Sequence, residues 1–289
     1  MALSRKVKSL NFFREVFKVA FLEKVLCSLT EGKSPHSFLS KLVPNPYQYL
    51  QGSIRTLHRN GLKMQVDISD YIGHYLYFGF KDEDIEKLYA LCQEGSNVLD
   101  IGTNIGWVAH NLARISKSGS VLGFEPDPYN YDRCLENIKL NSLKNLHVYP
   151  VGLGAANTRV GMEIRTPSNL GGNRIAPAAG NATTRTVEIK KLDDFEPAKA
   201  LRQIHLIKID VEGYELNVLR GAENTIAAHH PIFFIELDDN NLRDQGDSAS
   251  SLVEFLASRG YTKIVNVRNG EAVSPKSDFK NCHYDILAR

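Results

Sequence analysis

The segment Asn97-Val-Leu-Asp-Ile-Gly-Thr-Asn-Ile-Gly106, followed by Gly123-Phe-Glu-Pro-Asp127, leaves few folds open to this chain. The first stretch reads as a buried strand that breaks into a glycine turn and opens a helix. The second reads as the next strand, ending in a carboxylate 25 residues after Asp100. Open α/β sheets bind nucleosides at such a place. Glycines let the backbone approach the ligand, and an acid at the end of the second strand takes the ribose hydroxyls. Here the turn is Gly102-Thr-Asn-Ile-Gly106, so the dinucleotide fingerprint G-x-G-x-x-G is absent. No third glycine stands where a helix would pack against a pyrophosphate. An acid-bearing first strand before a short G-x-x-x-G loop suits a cofactor with an ammonium and no phosphate, of which S-adenosylmethionine is the common one. Asp100, Gly102, Asn104, Gly106 and Glu125 are the expected cofactor residues, with Asp100 toward the methionine ammonium and Glu125 toward the ribose. Gly102→Val is expected to block cofactor approach and Glu125→Ala to remove the ribose contact, both leaving the chain folded because the positions lie in a loop and at a strand end.

The remaining chain continues the βα rhythm. Asp127 and Pro128 read as the cap and first position of a helix. His147 to Val151 reads as the third strand, and Leu153, between Gly152 and Gly154, is placed at the adenine edge through backbone contacts. Arg159 to Arg165 and Thr184 to Lys190 read as two strands around a Gly-, Pro- and Asn-rich loop, 166–183, taken as a substrate-facing lid. Ile204 to Asp210 and Pro231 to Leu237 read as the fourth and fifth strands, Tyr261 to Val267 and Asn281 to Leu287 as a final antiparallel pair. The expected fold is α/β, a Rossmann-like, mostly parallel seven-stranded sheet with a terminal antiparallel hairpin. The expected domains are residues 1–50, an amphipathic helix to about residue 30 plus a Pro-containing linker, and residues 51–289.

Charge and composition narrow the function. A net charge of +2 over 289 residues gives no overall affinity for polyanions. Cys27, Cys92, Cys134 and Cys282 have no C-x-x-C spacing, which favours a reducing compartment over a zinc site or disulfide framework. No apolar run reaches membrane-spanning length. The first 24 residues carry six basic side chains against Glu15 and Glu23, with Phe12, Phe13, Phe17 and Phe21 among them. Such a helix packs on a protein surface or lies on an anionic membrane. The expected location is the cytoplasm, with peripheral contact at the inner membrane face through residues 1–30.

These segments resemble the FkbM family of S-adenosylmethionine-dependent methyltransferases. The resemblance rests on Val-Leu-Asp-Ile-Gly-Thr-Asn-Ile-Gly106, Gly-Phe-Glu-Pro-Asp127, Ile-Lys-Ile-Asp-Val-Glu-Gly-Tyr-Glu215, Leu-Arg-Gly-Ala222 and Phe-Ile-Glu-Leu237, and covers roughly residues 65 to 265. It implies O-methylation of a sugar, polyketide or related metabolite without fixing the acceptor.

Methyl transfer is an in-line displacement, so the enzyme must align the acceptor oxygen and remove its proton. Asp210, Glu212 and Glu236 stand at the ends of the fourth and fifth strands, the edge where ligands bind in such sheets. They are the expected catalytic residues, Asp210 first. The same acids offer a donor set for a divalent cation, though no metal site is assigned. His74, His205 and His283 are alternative bases, with His205 read as core. A non-catalytic cofactor-binding module is the competing reading, and a nicotinamide oxidoreductase is disfavoured by the missing fingerprint. Nucleic-acid methylation is disfavoured because Asn/Asp-Pro-Pro-aromatic is missing after the fourth strand.

Overall fold

The computed structural model describes residues 5–164, 170–176 and 184–289. The chain divides into two compact units, the first running to Asp82 and taking in Leu170 and Gly171, the second formed by the other described residues from Glu83 on.

The first unit opens with α1 (Arg5–Arg14) and α2 (Ala20–Thr30), separated by a 3-10 turn over Glu15–Lys18. The single helix expected over residues 1–30 is therefore broken. Val19 is extended (φ −65°, ψ 127°), at the end of a stretch in which Val16, Phe17 and Val19 are weak helix formers. Gln48 also grips the turn: its carbonyl accepts from Lys18 Nζ at 2.6 Å and its amide donates to Glu15 Oε1 at 2.8 Å. β1 (Ile54–Arg59) and β2 (Leu62–Asp67) form an antiparallel hairpin around Asn60-Gly61, whose positive φ angles suit a two-residue turn. α3 (Tyr71–Tyr77) starts at Asp70, which caps it. α2 is bonded to both. Its Glu23 accepts from Arg55 Nε at 2.6 Å, and Thr30 Oγ1 donates to the Phe78 carbonyl at 2.7 Å. Residues 31–50 are not a loose linker either: Val43 and Tyr49 are buried, and the His74 ring bonds the Pro44 carbonyl at 2.7 Å. These contacts carry the unit past residue 50, where the domain break was expected.

In the second unit, α4 (Glu83–Leu91) leads to β3 (Val98–Ile101), α5 (Trp107–Ser116), β4 (Val121–Phe124), α6 (Pro128–Leu140) and β5 (Leu146–Tyr149). β6 (Gly152–Leu153), β7 (Thr158–Glu163), β8 (Arg174–Ile175) and β9 (Thr184–Lys190) form a separate sheet in the order β6-β9-β7-β8. Then come α7 (Glu196–Lys199), β10 (Leu206–Ile209), α8 (Glu215–Arg220), α9 (Glu223–His229), β11 (Ile232–Asp238), α10 (Asp239–Asp244), α11 (Ala249–Ser258), β12 (Ile264–Asn266) and β13 (His283–Ala288). The main sheet has the order β12-β13-β11-β10-β3-β4-β5. Neighbours from β11 to β5 are parallel, and β13 is antiparallel to both β11 and β12. This is the expected seven-stranded class I architecture.

β3, β4 and β10 are buried at every residue, as central strands covered on both faces must be. The chain steps from β3 to β4 on one side and reaches β10 on the other, so the carboxyl ends of β3 and β10 open the crevice of a topological switch point. The loop taken as a lid falls largely on 165–169 and 177–183, outside the described residues.

Candidate active site

The glycine turn is built by β4. Gly102 and Thr103 N–H both donate to the Phe124 carbonyl at 3.1 Å, and Asn104 N–H donates to Glu125 Oε2 at 2.7 Å. Three successive donors aimed at one strand end force a tight reversal, and Gly102 (φ +83°), Asn104 (φ +52°) and Gly106 (φ +92°) take left-handed backbone. Asn104 tolerates this better than most residues. Glu125 is buried, with Oε1 taking the Asp127 N–H at 2.9 Å. Each of its oxygens thus holds one backbone donor and keeps a second lone pair, the acceptor pair a vicinal ribose diol needs. Asp127 caps α6 through Tyr129 and Asn130 N–H.

A Cβ added at Gly102 would stand 1.9 Å from the Asp210 carbonyl oxygen. The glycine is therefore required by the junction of β3 with β10 as well as by the turn, and Gly102→Val cannot leave the chain undisturbed, contrary to the sequence expectation.

Lys208 lies behind this junction, a residue the sequence reading passed over. It is 4% exposed and stands opposite Asp100 in the β10–β3 register. Its ammonium is 3.5 Å from Asp100 Oδ1 and 3.2 Å from Asp210 Oδ2, and donates to the Gly102 carbonyl at 3.0 Å. Burial alone would lower its pKa. Asp210 and Asp100 outweigh burial and hold it above the ordinary lysine value. One cation thus ties the glycine turn to the acid at the end of β10. Asp100 itself is fully buried, its carboxyl facing this cation from inside the sheet.

After β10 the chain turns through Glu212 (φ +55°) and Gly213 (φ +101°). A left-handed glutamate costs about 1–2 kcal/mol. Glu215 holds the turn, its Oε1 accepting from Val211 and Gly213 N–H at 3.1 and 3.0 Å. Asp210, Glu212 and Glu236 each offer an oxygen within 4.8 Å of the others. The structure therefore brings the three expected acids together at one sheet edge. Glu236 is largely buried. Burial first, then Asp210, Glu212, Glu215 and Asp285, push its carboxyl well above the usual range.

The other candidates separate clearly. His283 Nδ1 lies 3.0 Å from Asp238 Oδ2 and 4.0 Å from Glu236 Oε1, because β13 runs antiparallel to β11 and sets His283 opposite Asp238. His74 is occupied by Pro44 in the first unit. His205 precedes β10 and is exposed, not core, with Nδ1 accepting the Asn97 N–H. Leu153 is buried in the main core and its strand pairs with β9, where a free turn was expected.

Three buried carboxyls share a pH signature. Burial foremost raises Asp100 to about 6, and Glu125 and Glu215 to about 7. A carboxyl raised in the folded chain binds its proton more tightly there than in the unfolded chain, so stability falls as pH rises through the window between the two values. His74, held near pKa 4 chiefly by burial, works in the opposite sense below about 6.5. Three carboxyls outweigh the one imidazole, so the net loss should run up to the folded values of the carboxyls, between about pH 5 and 7. Urea midpoints of the ligand-free chain are expected to drop over that interval. A midpoint that is flat or rises there would contradict the assignment.

A family model for the methyltransferase FkbM domain matches residues 100–263, from the strand of the glycine turn past the acids of β10 and β11. The chain belongs to the FkbM methyltransferase family. Methyltransferase 1 of Beauveria bassiana is 26% identical over 208 residues, covering 65% of this chain and 82% of that protein. The hexuronic acid methyltransferase AglP of Haloferax volcanii is 27% identical over 186 residues, covering 63% and 72%. The 2-O-methyltransferase NoeI of Sinorhizobium fredii is 27% identical over 178 residues, covering 56% and 71%. A solved FkbM methyltransferase from Methylobacillus flagellatus aligns at 18% identity with a TM-score of 0.44, over 75% of this chain and 52% of that one. This chain thus spans about half of that solved chain. FkbM membership makes S-adenosylmethionine the cofactor to fit, and the donor set of Glu125 beside a left-handed turn fits an adenosine ribose.

Proposed function

We propose that this chain transfers a methyl group from S-adenosylmethionine to a hydroxyl oxygen of a sugar or related small metabolite, with Glu236 accepting the hydroxyl proton. The observation that carries the reading is Glu236, a largely buried carboxyl whose proton affinity is raised, beside Asp210 and Glu212 at the edge that also holds the glycine turn. When bound, S-adenosylmethionine supplies a methyl group on a positively charged sulfur. The turn Gly102–Gly106 and Glu125 hold the nucleoside, and Asp100 acts on its ammonium side through the turn. Asp210, fixed by Lys208, and Glu212, fixed by Asn241 Nδ2 at 2.9 Å, accept hydrogen bonds that orient the acceptor. A carboxylate whose pKa is raised above the ordinary carboxyl value is a stronger base and takes a hydroxyl proton more readily. Sequence order put Asp210 first for this role. Asp210 already faces an ammonium, so the proton goes to Glu236.

All of these groups belong to the second compact unit, to which we assign the chemistry. A cleft of about 470 Å³ is lined by Asp239, Asn240, Arg243, Lys276, Ser277 and Asn281, with none of Asp210, Glu212 and Glu236 in its lining. Such groups hydrogen-bond sugar hydroxyls; the name of AglP supports a sugar acceptor and that of NoeI supports transfer to oxygen. A divalent cation shared by Asp210, Glu212 and Glu236 is the second reading, favoured by their spacing. Turnover lost in EDTA and restored by Mg²⁺ would support it.

The experiment is a thermal-shift screen followed by transfer of labelled methyl. S-adenosylmethionine or its demethylated product at about a hundred times its Kd adds about 2.7 kcal/mol, a rise of roughly 5–10 °C for a unit of this size. Label is then expected in glycan or lipid-linked sugar fractions. A shift with NAD and none with either nucleoside would overturn the reading.

A further inference from the structure

We propose that the first compact unit seats the protein on an anionic lipid surface through an apolar face on α1, α2 and the segment after them, independently of the chemistry assigned to the second unit. Among the described residues, eleven of the thirteen large apolar side chains that stand exposed lie between Leu10 and Leu50. Phe12, Phe13, Phe21 and Phe38 are 66–80% exposed, and Leu50 reaches 84%. Scattered exposed apolar residues are ordinary, but this concentration in one short stretch is not.

The polarity of α2 is inverted. Phe21, Val25 and Leu29, spaced four apart, form an outward stripe, while Glu23, Leu26 and Thr30 face inward. The inward polar groups are satisfied by Arg55 and by the Phe78 carbonyl. A helix that buries a glutamate and turns phenylalanine outward is made for an apolar exterior. Phe12 and Phe13, on α1, are exposed as well, their rings edge to face at 6.1 Å.

Charge selects the occupant. Residues 1–50 hold eight basic side chains and three acids, whereas the whole chain is only +2. All three acids are paired: Glu15 with Lys18, Glu23 with Arg55 and Glu31 with Arg59. Lys24, Lys33 and Lys41 are exposed. A second copy would bring the same positive surface against this one and be repelled. Anionic headgroups are attracted to it, and the phenylalanines reach the acyl boundary beneath them. No helix among the described residues is long and apolar enough to cross a membrane, so the contact lies in the plane of the interface.

The test is flotation of the full chain with phosphatidylcholine vesicles and with mixed phosphatidylcholine–phosphatidylglycerol vesicles, alongside analytical ultracentrifugation. The expected result is flotation with the mixed vesicles, weakened by salt and by removal of phosphatidylglycerol. Each inserted phenylalanine is about tenfold in partition, so Phe12→Ser, Phe13→Ser and Phe21→Ser together should release the protein. These side chains are exposed, so the melting temperature should stay unchanged. A wild-type chain that stays unbound at low salt overturns the proposal. So does a lipid-free dimer that the triple substitution dissociates, because the face then covers a second copy.

Discussion

Glu236→Gln is expected to lower turnover by about 10²–10⁴, the usual cost of losing a general base, while leaving affinity for S-adenosylmethionine unchanged. Glutamine keeps the shape and removes proton acceptance. Glu236 sits at the end of β11 and not in the glycine turn proposed to hold the nucleoside, so the loss should fall on kcat and kcat/KM together rather than on cofactor binding. The wild-type rate should rise with pH as the raised carboxyl gives up its proton, and that limb should vanish in the variant. Asp210→Asn and Glu212→Gln orient without taking the proton, so their losses should be smaller. Near-normal turnover in Glu236→Gln on a verified acceptor would move the role to His283, 3.0 Å from Asp238.

Gly102→Ala should be the most damaging single methyl in the second unit. Two costs add. The residue has φ +83°, which charges any L side chain about 1–2 kcal/mol. Its Cβ would also stand 1.9 Å from the Asp210 carbonyl, which must move. That carbonyl belongs to the residue whose N–H bonds Ile101 O at 3.1 Å and whose carboxylate pairs with Lys208. The junction of β3 and β10 opens, and the total should be roughly 4 kcal/mol or more, about 10 °C in melting temperature. Gly246→Ala is the control, with the same φ of +83° and nothing within 4 Å of the added carbon. It should cost only the left-handed term. If denaturation finds the two variants equally mild, the close approach is not a constraint.

Much of this was legible in the sequence because the central strands are short, wholly buried and bounded by glycine or acid. Val98–Ile101 and Leu206–Ile209 announce themselves as covered strands, and the glycine turn follows directly. Chain order and the final hairpin then give the sheet. Lys208 was not legible, because its meaning lies in the β10–β3 register that sets it opposite Asp100, far away in sequence. The constraint on Gly102 is of the same kind, coming from the carbonyl of Asp210. His205 looked interior because it lies within the run Ile204 to Asp210, but the strand begins one residue after it, at Leu206. The break between α1 and α2 is partly imposed from Gln48, a contact no local propensity reports. That Asp210, Glu212 and Glu236 meet at one edge was legible because strand ends at a switch point are a topological fact, whereas the ranking proposed among them rests on Lys208.

Calorimetric titration of S-adenosylmethionine into wild type, Glu125→Ala and Glu236→Gln tests the division of the site most directly, and it needs no knowledge of the acceptor. With Glu125 proposed to hold the ribose through its two carboxyl oxygens, Glu125→Ala should weaken binding about 10- to 100-fold. Glu236→Gln should bind as wild type does. Wild-type affinity in Glu125→Ala, or loss of binding in Glu236→Gln, would contradict the assignment of the nucleoside to the glycine turn and of the proton to the end of β11.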